Sequence, residues 1–175
     1  MCIREDTAQN EREIRKNIFK NERVNFILGV ILVIFSFYLT ISFISFFFTG
    51  SIDQSKVENL SVGELSSIGN DIQNWTGAFG AYLSNLMINR WMGISAFIVS
   101  LWLYVVGRRF MKVAHTRMIR FTISCALSII VLSLFFGFIF MHSYNNTFLY
   151  LGGYHGYYAT LWLNAWIGPW GTALF

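Results

Sequence analysis

Charge is scarce in this sequence. Lys and Arg number 13 and Asp and Glu 9, so 13% of the 175 residues are charged, about half of the roughly 25% usual in soluble domains. From Phe121 to Phe175 there is no Lys, Arg, Asp or Glu at all. Proline occurs once, at Pro169, so almost nothing interrupts the apolar runs as helices. Only two cysteines are present, Cys2 in a polar tail and Cys125 inside an apolar run; residues placed so differently are not expected to pair. No apolar segment precedes Cys2, which excludes a lipoprotein cysteine, and the first apolar run is too long for a cleaved signal peptide. Catalytic motifs are missing as well. There is no G-x-x-x-x-G-K-[ST], H-E-x-x-H, C-x-x-C or G-x-S-x-G, the patterns that place phosphate-binding loops, metal ligands and nucleophiles. His115, His142 and His155 each stand alone, without the spaced partners a metal needs. No metal site is therefore expected, and no cofactor. No ionisable residue sits deep in an apolar run, which argues against a proton pump or coupled transporter.

What is abundant is apolar surface. Hydrophobic residues make up 55% of the chain, aromatics 18%, and the mean hydropathy is +0.51. A single soluble core this small has no room for 18 Phe, 8 Tyr and 6 Trp, so the class is an integral membrane protein. The expected fold is all-α and polytopic, with lipid as a main partner. Residues 1–24 form a polar tail, in which Thr7 or Asn10 caps a short surface helix carrying Ile14 and Ile18 on one face. Residues 25–175 form the membrane domain. Its first crossing, 26–48, has 23 residues without a charge, about 34 Å of helix against a bilayer core of roughly 30 Å. A polar loop is expected over 49–74. The stretch 75–107 is 33 residues long, about 50 Å as one helix and too long for one crossing. It divides into an interfacial helix over 77–89 and a second crossing over 91–107, with Arg90 reaching to the outer surface. A third crossing follows over 121–141.

The tail of the chain repeats the middle. "GAFGAYLSNLMINRWMG" begins at Gly77 and "GYHGYYATLWLNAWIG" at Gly153. Gly77, Gly80, Tyr82 and Ser84 align with Gly153, Gly156, Tyr158 and Thr160 at an offset of 76, and Asn89, Trp91 and Gly93 with Asn164, Trp166 and Gly168 at 75. The second copy thus predicts another interfacial helix, a glycine break, and a fourth crossing of which only 168–175 is present, as though the chain were the front of a longer protein. Small residues suggest helix contacts at Ser124 and Ser128 and along Gly93, Ala96 and Ser100, though simple tolerance of lipid explains them equally well.

The basic residues divide by loop. Six lie in the tail, Arg4, Arg12, Arg15, Lys16, Lys20 and Arg23, and five between the second and third crossings, Arg108, Arg109, Lys112, Arg117 and Arg120. The 49–74 loop has Lys56 alone. Cations near membrane ends favour the cytoplasm. Arg23, Arg108, Arg109, Lys112, Arg117 and Arg120 are therefore the topology anchors, with a cytoplasmic N-terminus and both G-x-x-G segments outside. The basic loop reads as a headgroup-facing anchor more readily than as a DNA contact. Three Asn-x-[ST] triplets, at Asn59, Asn74 and Asn145, fall on the outer side.

This layout resembles the four-helix N-terminal membrane domain of FtsK/SpoIIIE-type DNA translocases, in a form similar to the Bacteroidetes branch. The phrases that carry the resemblance are "FSFYLTISFISFFFTGSIDQS", "NWTGAFGAYLSNLMINRWMGIS" and "GGYHGYYATLWLNAWIGPWGTALF", across about residues 20–175. The resemblance implies a bacterial inner-membrane anchor for a hexameric, ATP-driven DNA pump at the division septum. The motor lies downstream in the family, so the resemblance implies that this chain is not itself an enzyme, has no catalytic residues, and meets DNA only through a part it lacks. Homo-oligomerisation and contacts with division proteins are implied too. The candidate packing or assembly residues are Gly77, Gly80, Tyr82, Gly153, Gly156 and Tyr158, although aromatic packing at the lipid interface would suit each taken alone. The competing reading is a stand-alone small membrane protein, such as a channel or transporter subunit.

Overall fold

The computed structural model describes residues 22–58, 62–113, 116–141 and 148–173. The expected helix of the tail, Cys2, His115, His142 and the Asn59 and Asn145 triplets lie outside these residues.

Among the described residues every regular element is a helix. Helix α1 spans Glu22–Val57 and a 3-10 segment follows at Val62–Asp71. Helix α2, Gly77–Ser84, runs into a π-helical stretch, Asn85–Met92, and a short 3-10 turn, Gly93–Ser95, leads into α3, Ala96–Phe110. Then come α4, Met118–Ile139, and α5, Gly153–Ala173. Among the described residues three helical stretches are long and apolar enough to cross a membrane: Glu22–Val57, Gly77–Phe110 and Met118–Ile139. Helices meet the demand of lipid because every backbone N–H and C=O is satisfied inside the segment.

One expected boundary is corrected. The 49–74 region is not all loop, because α1 continues to Val57. It is 36 residues long, about 54 Å, far more than a bilayer core. Two contacts tie its outer turns to the segment that follows, while Asp53 Oδ2 and Gln54 Oε1 are buried without a hydrogen-bond partner among the described residues. Asp53 Oδ1 accepts from the Gln73 N–H at 2.9 Å, and Lys56 Nζ donates to the Asp71 carbonyl. Val57, Leu65 and Ala81 close into a small apolar cluster beneath the 3-10 segment.

The long middle stretch stays helical through 89–91, where a division was expected, and breaks at Gly93. Gly93 takes φ 67° and ψ −147°, a conformation other residues rarely adopt. The following helix runs to Phe110, three residues past the expected end. The main core, Leu39, Phe43, Phe46, Ile88 and Ala96, lies where α1 meets the π-helical stretch and α3. Toward the other end α1 and α3 nearly touch: a Cβ on Gly29 would fall 2.7 Å from the Gly107 carbonyl oxygen, and one on Gly107 2.7 Å from that of Gly29. Ser36 Oγ donates to the Ser100 carbonyl at 2.7 Å and Thr40 Oγ1 to Ser100 Oγ at 3.1 Å. In the Gly93, Ala96 and Ser100 stripe all three are buried, whereas Ser124 and Ser128 on α4 are exposed. Large apolar side chains face outward along α1 and α4, among them Ile34, Phe48, Ile119 and Val131. In water such a surface would drive aggregation; in lipid it is the solvated face.

Candidate functional site

The two G-x-x-G segments share their glycine turns. Among the described residues four glycines have positive φ: Gly77 at 76°, Gly93 at 67°, Gly153 at 69° and Gly168 at 72°. They are the aligned pairs of the repeat, Gly77 with Gly153 and Gly93 with Gly168. The entry turn is also shared, for Gly77 N–H donates to the Asn74 carbonyl and Gly153 N–H to the Tyr150 carbonyl, both at 2.8 Å. Each copy is thus a helix framed by two left-handed glycines, one where the chain enters and one where it leaves.

Each framed helix crosses the helix before it at a serine. Ser42 Oγ lies 2.7 Å from the Gly80 carbonyl oxygen and 2.6 Å from Ser84 Oγ. Gly80 and Ser84 are one turn apart, so the Ser42 hydroxyl meets both. In the second copy Ser133 Oγ donates to the Gly152 carbonyl at 2.6 Å, and a Cβ on Gly156 would fall 2.2 Å from the Ser133 carbonyl oxygen. Thr160 Oγ1, aligned with Ser84, donates to the Gly156 carbonyl at 2.7 Å. The missing Cβ at Gly80 and Gly156 is what permits these close crossings. Sequence reasoning missed Ser42 and Ser133. A signal for the first was present: Ser42, Ser45, Thr49 and Asp53 follow a helical spacing of three and four, and all four are buried.

The copies then dock on one another, exit to entry. Ile94 N–H donates to the Leu151 carbonyl at 2.8 Å. Asn89 spans the junction, its Nδ2 donating to the Phe148 carbonyl at 3.2 Å and its Oδ1 accepting from Tyr150 N–H at 3.1 Å. Cβ atoms would collide here, 1.9 Å from the Leu151 carbonyl oxygen at Gly93 and 2.4 Å from that of Trp91 at Gly153. The π-helical stretch keeps Asn89 bonded to Asn85 Oδ1 at 3.1 Å as well.

The six candidate residues divide accordingly. Gly77 and Gly153 sit at the entry turns, and Gly80 and Gly156 at the serine crossings. Tyr82 is half-buried against the Val57, Leu65 and Ala81 cluster. Tyr158 is 64% exposed and packs edge to face on Tyr154 and Tyr157 of its own helix.

The anchor cations collect around the starts of α1 and α4 and the end of α3. Arg23 and Lys112 border an open groove of about 510 Å³, with Glu22, Phe26, Phe110 and Met111. Lys112 pairs with Glu22, and its hydrogen bond and charge hold the Glu22 carboxyl below the usual range. The Arg108 guanidinium stacks over Tyr104, 5.7 Å from the ring centre. Arg117 and Arg120 begin α4. At the opposite end Arg90 Nη2 donates to the Glu58 carbonyl at 2.7 Å.

Apolar crossing helices, glycine-broken hairpins and cations gathered at one end define a polytopic helical membrane domain built from two tandem units. Residues 21–175 match the family described as the 4TM region of DNA translocase FtsK/SpoIIIE, and the chain belongs to that family. No curated protein matches the chain, and no solved structure does.

Proposed function

We propose that this chain anchors a septal DNA translocase in the bacterial inner membrane and helps to assemble it there. The observation that carries the reading is the family match across both framed helices and every crossing. The work is positional. Crossing helices hold an attached motor at the membrane, and the framed helices offer ordered surfaces to sibling subunits or division proteins. Chemistry on DNA belongs to the motor, which family members carry downstream.

The charge distribution supports a cytoplasmic N-terminus. Arg23, Arg108, Arg109, Lys112, Arg117 and Arg120 lie toward one side, while α1 carries its outer turns and the 3-10 segment to the other. The test is localisation. A fluorescent fusion of residues 1–175 is expected to gather at midcell in dividing cells. Replacing 21–175 in the parent translocase with an unrelated four-helix anchor is expected to abolish that recruitment. A fusion spread evenly around the membrane would overturn the reading.

A further inference from the structure

The two units fill the flank of their serine crossings differently. Ser42 meets Gly80 in the first and Ser133 meets Gly156 in the second, so α1 aligns with α4 at an offset of 91 while the framed helices align at 76. Beside the first crossing two rings occupy the angle between the helices. Tyr38 and Phe79 lie with centroids 6.4 Å apart, and the Tyr38 hydroxyl donates to the Thr76 carbonyl at 3.0 Å. Their counterparts in the second unit are Ile129 and His155, which leave the angle open. Gly152, the counterpart of Thr76, has its carbonyl served by Ser133 Oγ instead. What remains is a cleft of about 370 Å³ lined by Trp91, Ile129, Ile130, Leu134, His155 and Ala159. That volume lies within the roughly 300–1,000 Å³ of small-molecule sites. A continuation of the chain past Gly168 does not account for it. Helix α3 packs on α1 at Gly29, Ser36 and Thr40, whose counterparts on α4 are Arg120, Leu127 and Val131. None of these lines the cleft, so a helix that followed Gly168 as α3 follows Gly93 would leave it open.

We infer that this cleft is a binding site for one acyl chain of a bilayer phospholipid, which takes the place that Tyr38 and Phe79 fill in the first unit. The walls are almost wholly apolar, and the Ser133 hydroxyl among them is already committed to Gly152, so the site asks no polar group of its occupant. It is continuous with the lipid-facing surface, because Trp91 and Ile130 in its walls are themselves exposed. Within a bilayer the burial of apolar surface gains nothing by itself, since lipid tails are as apolar as the walls. The attraction is contact. An unfilled cleft forfeits dispersion along each wall, and a flexible methylene chain seated between the helices restores it. His155 and Trp91 are exposed rings with polar edges, the kind of side chain that sits at the level of lipid headgroups, and they stand at the mouth to meet the ester end of the lipid. The inference goes beyond the anchoring role proposed above and does not depend on it.

The test is photolabelling from the lipid side. The full chain is reconstituted in vesicles of phosphatidylethanolamine and phosphatidylglycerol, doped with phosphatidylethanolamine that carries a diazirine within an acyl chain, and labelled residues are mapped by mass spectrometry. Ile129 and Ala159 are half-buried, whereas Val131 on the same face of the membrane domain is 62% exposed. An ordered chain in the cleft is expected to label Ile129 and Ala159 at least as heavily as Val131. Ile129→Tyr with His155→Phe gives the second unit the rings of the first, and is expected to cut the label at Ala159 several-fold while Val131 keeps its own. Ala159→Phe plugs the cleft from the other wall and is expected to do the same to Ile129, so the result does not hang on one variant folding. Labelling of Ile129 and Ala159 only in proportion to their exposure would overturn the proposal. So would undiminished label at Ala159 in a double variant that melts like the parent. Label at Ala159 that fades as protein density in the vesicles rises, with Val131 unchanged, would assign the cleft to a second copy of the chain and overturn it as well.

Discussion

A methyl group added at Gly93 would stand 1.9 Å from the Leu151 carbonyl oxygen, and one at Gly156 2.2 Å from that of Ser133. Both obstacles are backbone and cannot rotate away. The nearest atom to a Cβ at Gly80 is Thr76 Oγ1, at 1.8 Å, which can turn aside, although Ser42 Oγ also stands 2.8 Å away. Gly93→Ala and Gly156→Ala are therefore each expected to cost about 2–3 kcal/mol, the upper range for overpacking, and Gly80→Ala less. Gly63 has open space around it, and Gly63→Ala is expected to be neutral. Melting in detergent, followed by tryptophan fluorescence, ranks the four. Ser42→Ala removes the side chain that meets both Gly80 and Ser84. It is expected to cost about 0.6–1 kcal/mol, the usual worth of a polar contact between membrane helices. Glu22 belongs at this scale too. Its carboxyl is held low by Lys112, so the ion pair persists above the ordinary carboxylate range and is lost as pH falls through the lowered value. Both partners are exposed, and Glu22→Gln is expected to melt like the parent at neutral pH.

Among the elements, the crossings were legible and their ends were less so. The runs at 26–48 and 121–141 announce helices because nothing in them is charged, and the division of 75–107 followed from length against bilayer thickness. Why α1 continues to Val57 was hidden. Asp53 and Lys56 look like loop residues until Gln73 and Asp71 come round to meet them, and those partners are brought by tertiary structure. The glycine breaks were readable because the repeat aligned them. The serine crossings were not, since a lone Ser in an apolar run is as readily tolerated as used. The π-helical stretch at Asn85–Met92 had no signal apart from its two asparagines, one turn apart. Asp53→Leu is expected to fray the outer end of α1. Amide hydrogen exchange over 49–57 should then quicken while exchange over 30–45 stays slow, because the outer turns depend on that carboxylate to hold Gln73.

At the scale of the whole molecule, cations at one end and the outer turns at the other make orientation a prediction. Reporter fusions after residues 60 and 112 are expected to fall on opposite sides of the membrane, the first outside and the second in the cytoplasm. A cytoplasmic signal from residue 60 would reverse the reading. The single helix from Glu22 to Val57 carries a mechanical consequence. It has no left-handed glycine and no proline, so no joint interrupts it between the two faces of the bilayer. The second passage, by contrast, is jointed at Gly93. Leu39, Phe43 and Phe46 pin this helix into the core, so a load on its outer tip is borne along the whole helix and not by a joint. One rigid post pinned through the core, beside a jointed passage, confines bending of the domain to its glycine breaks.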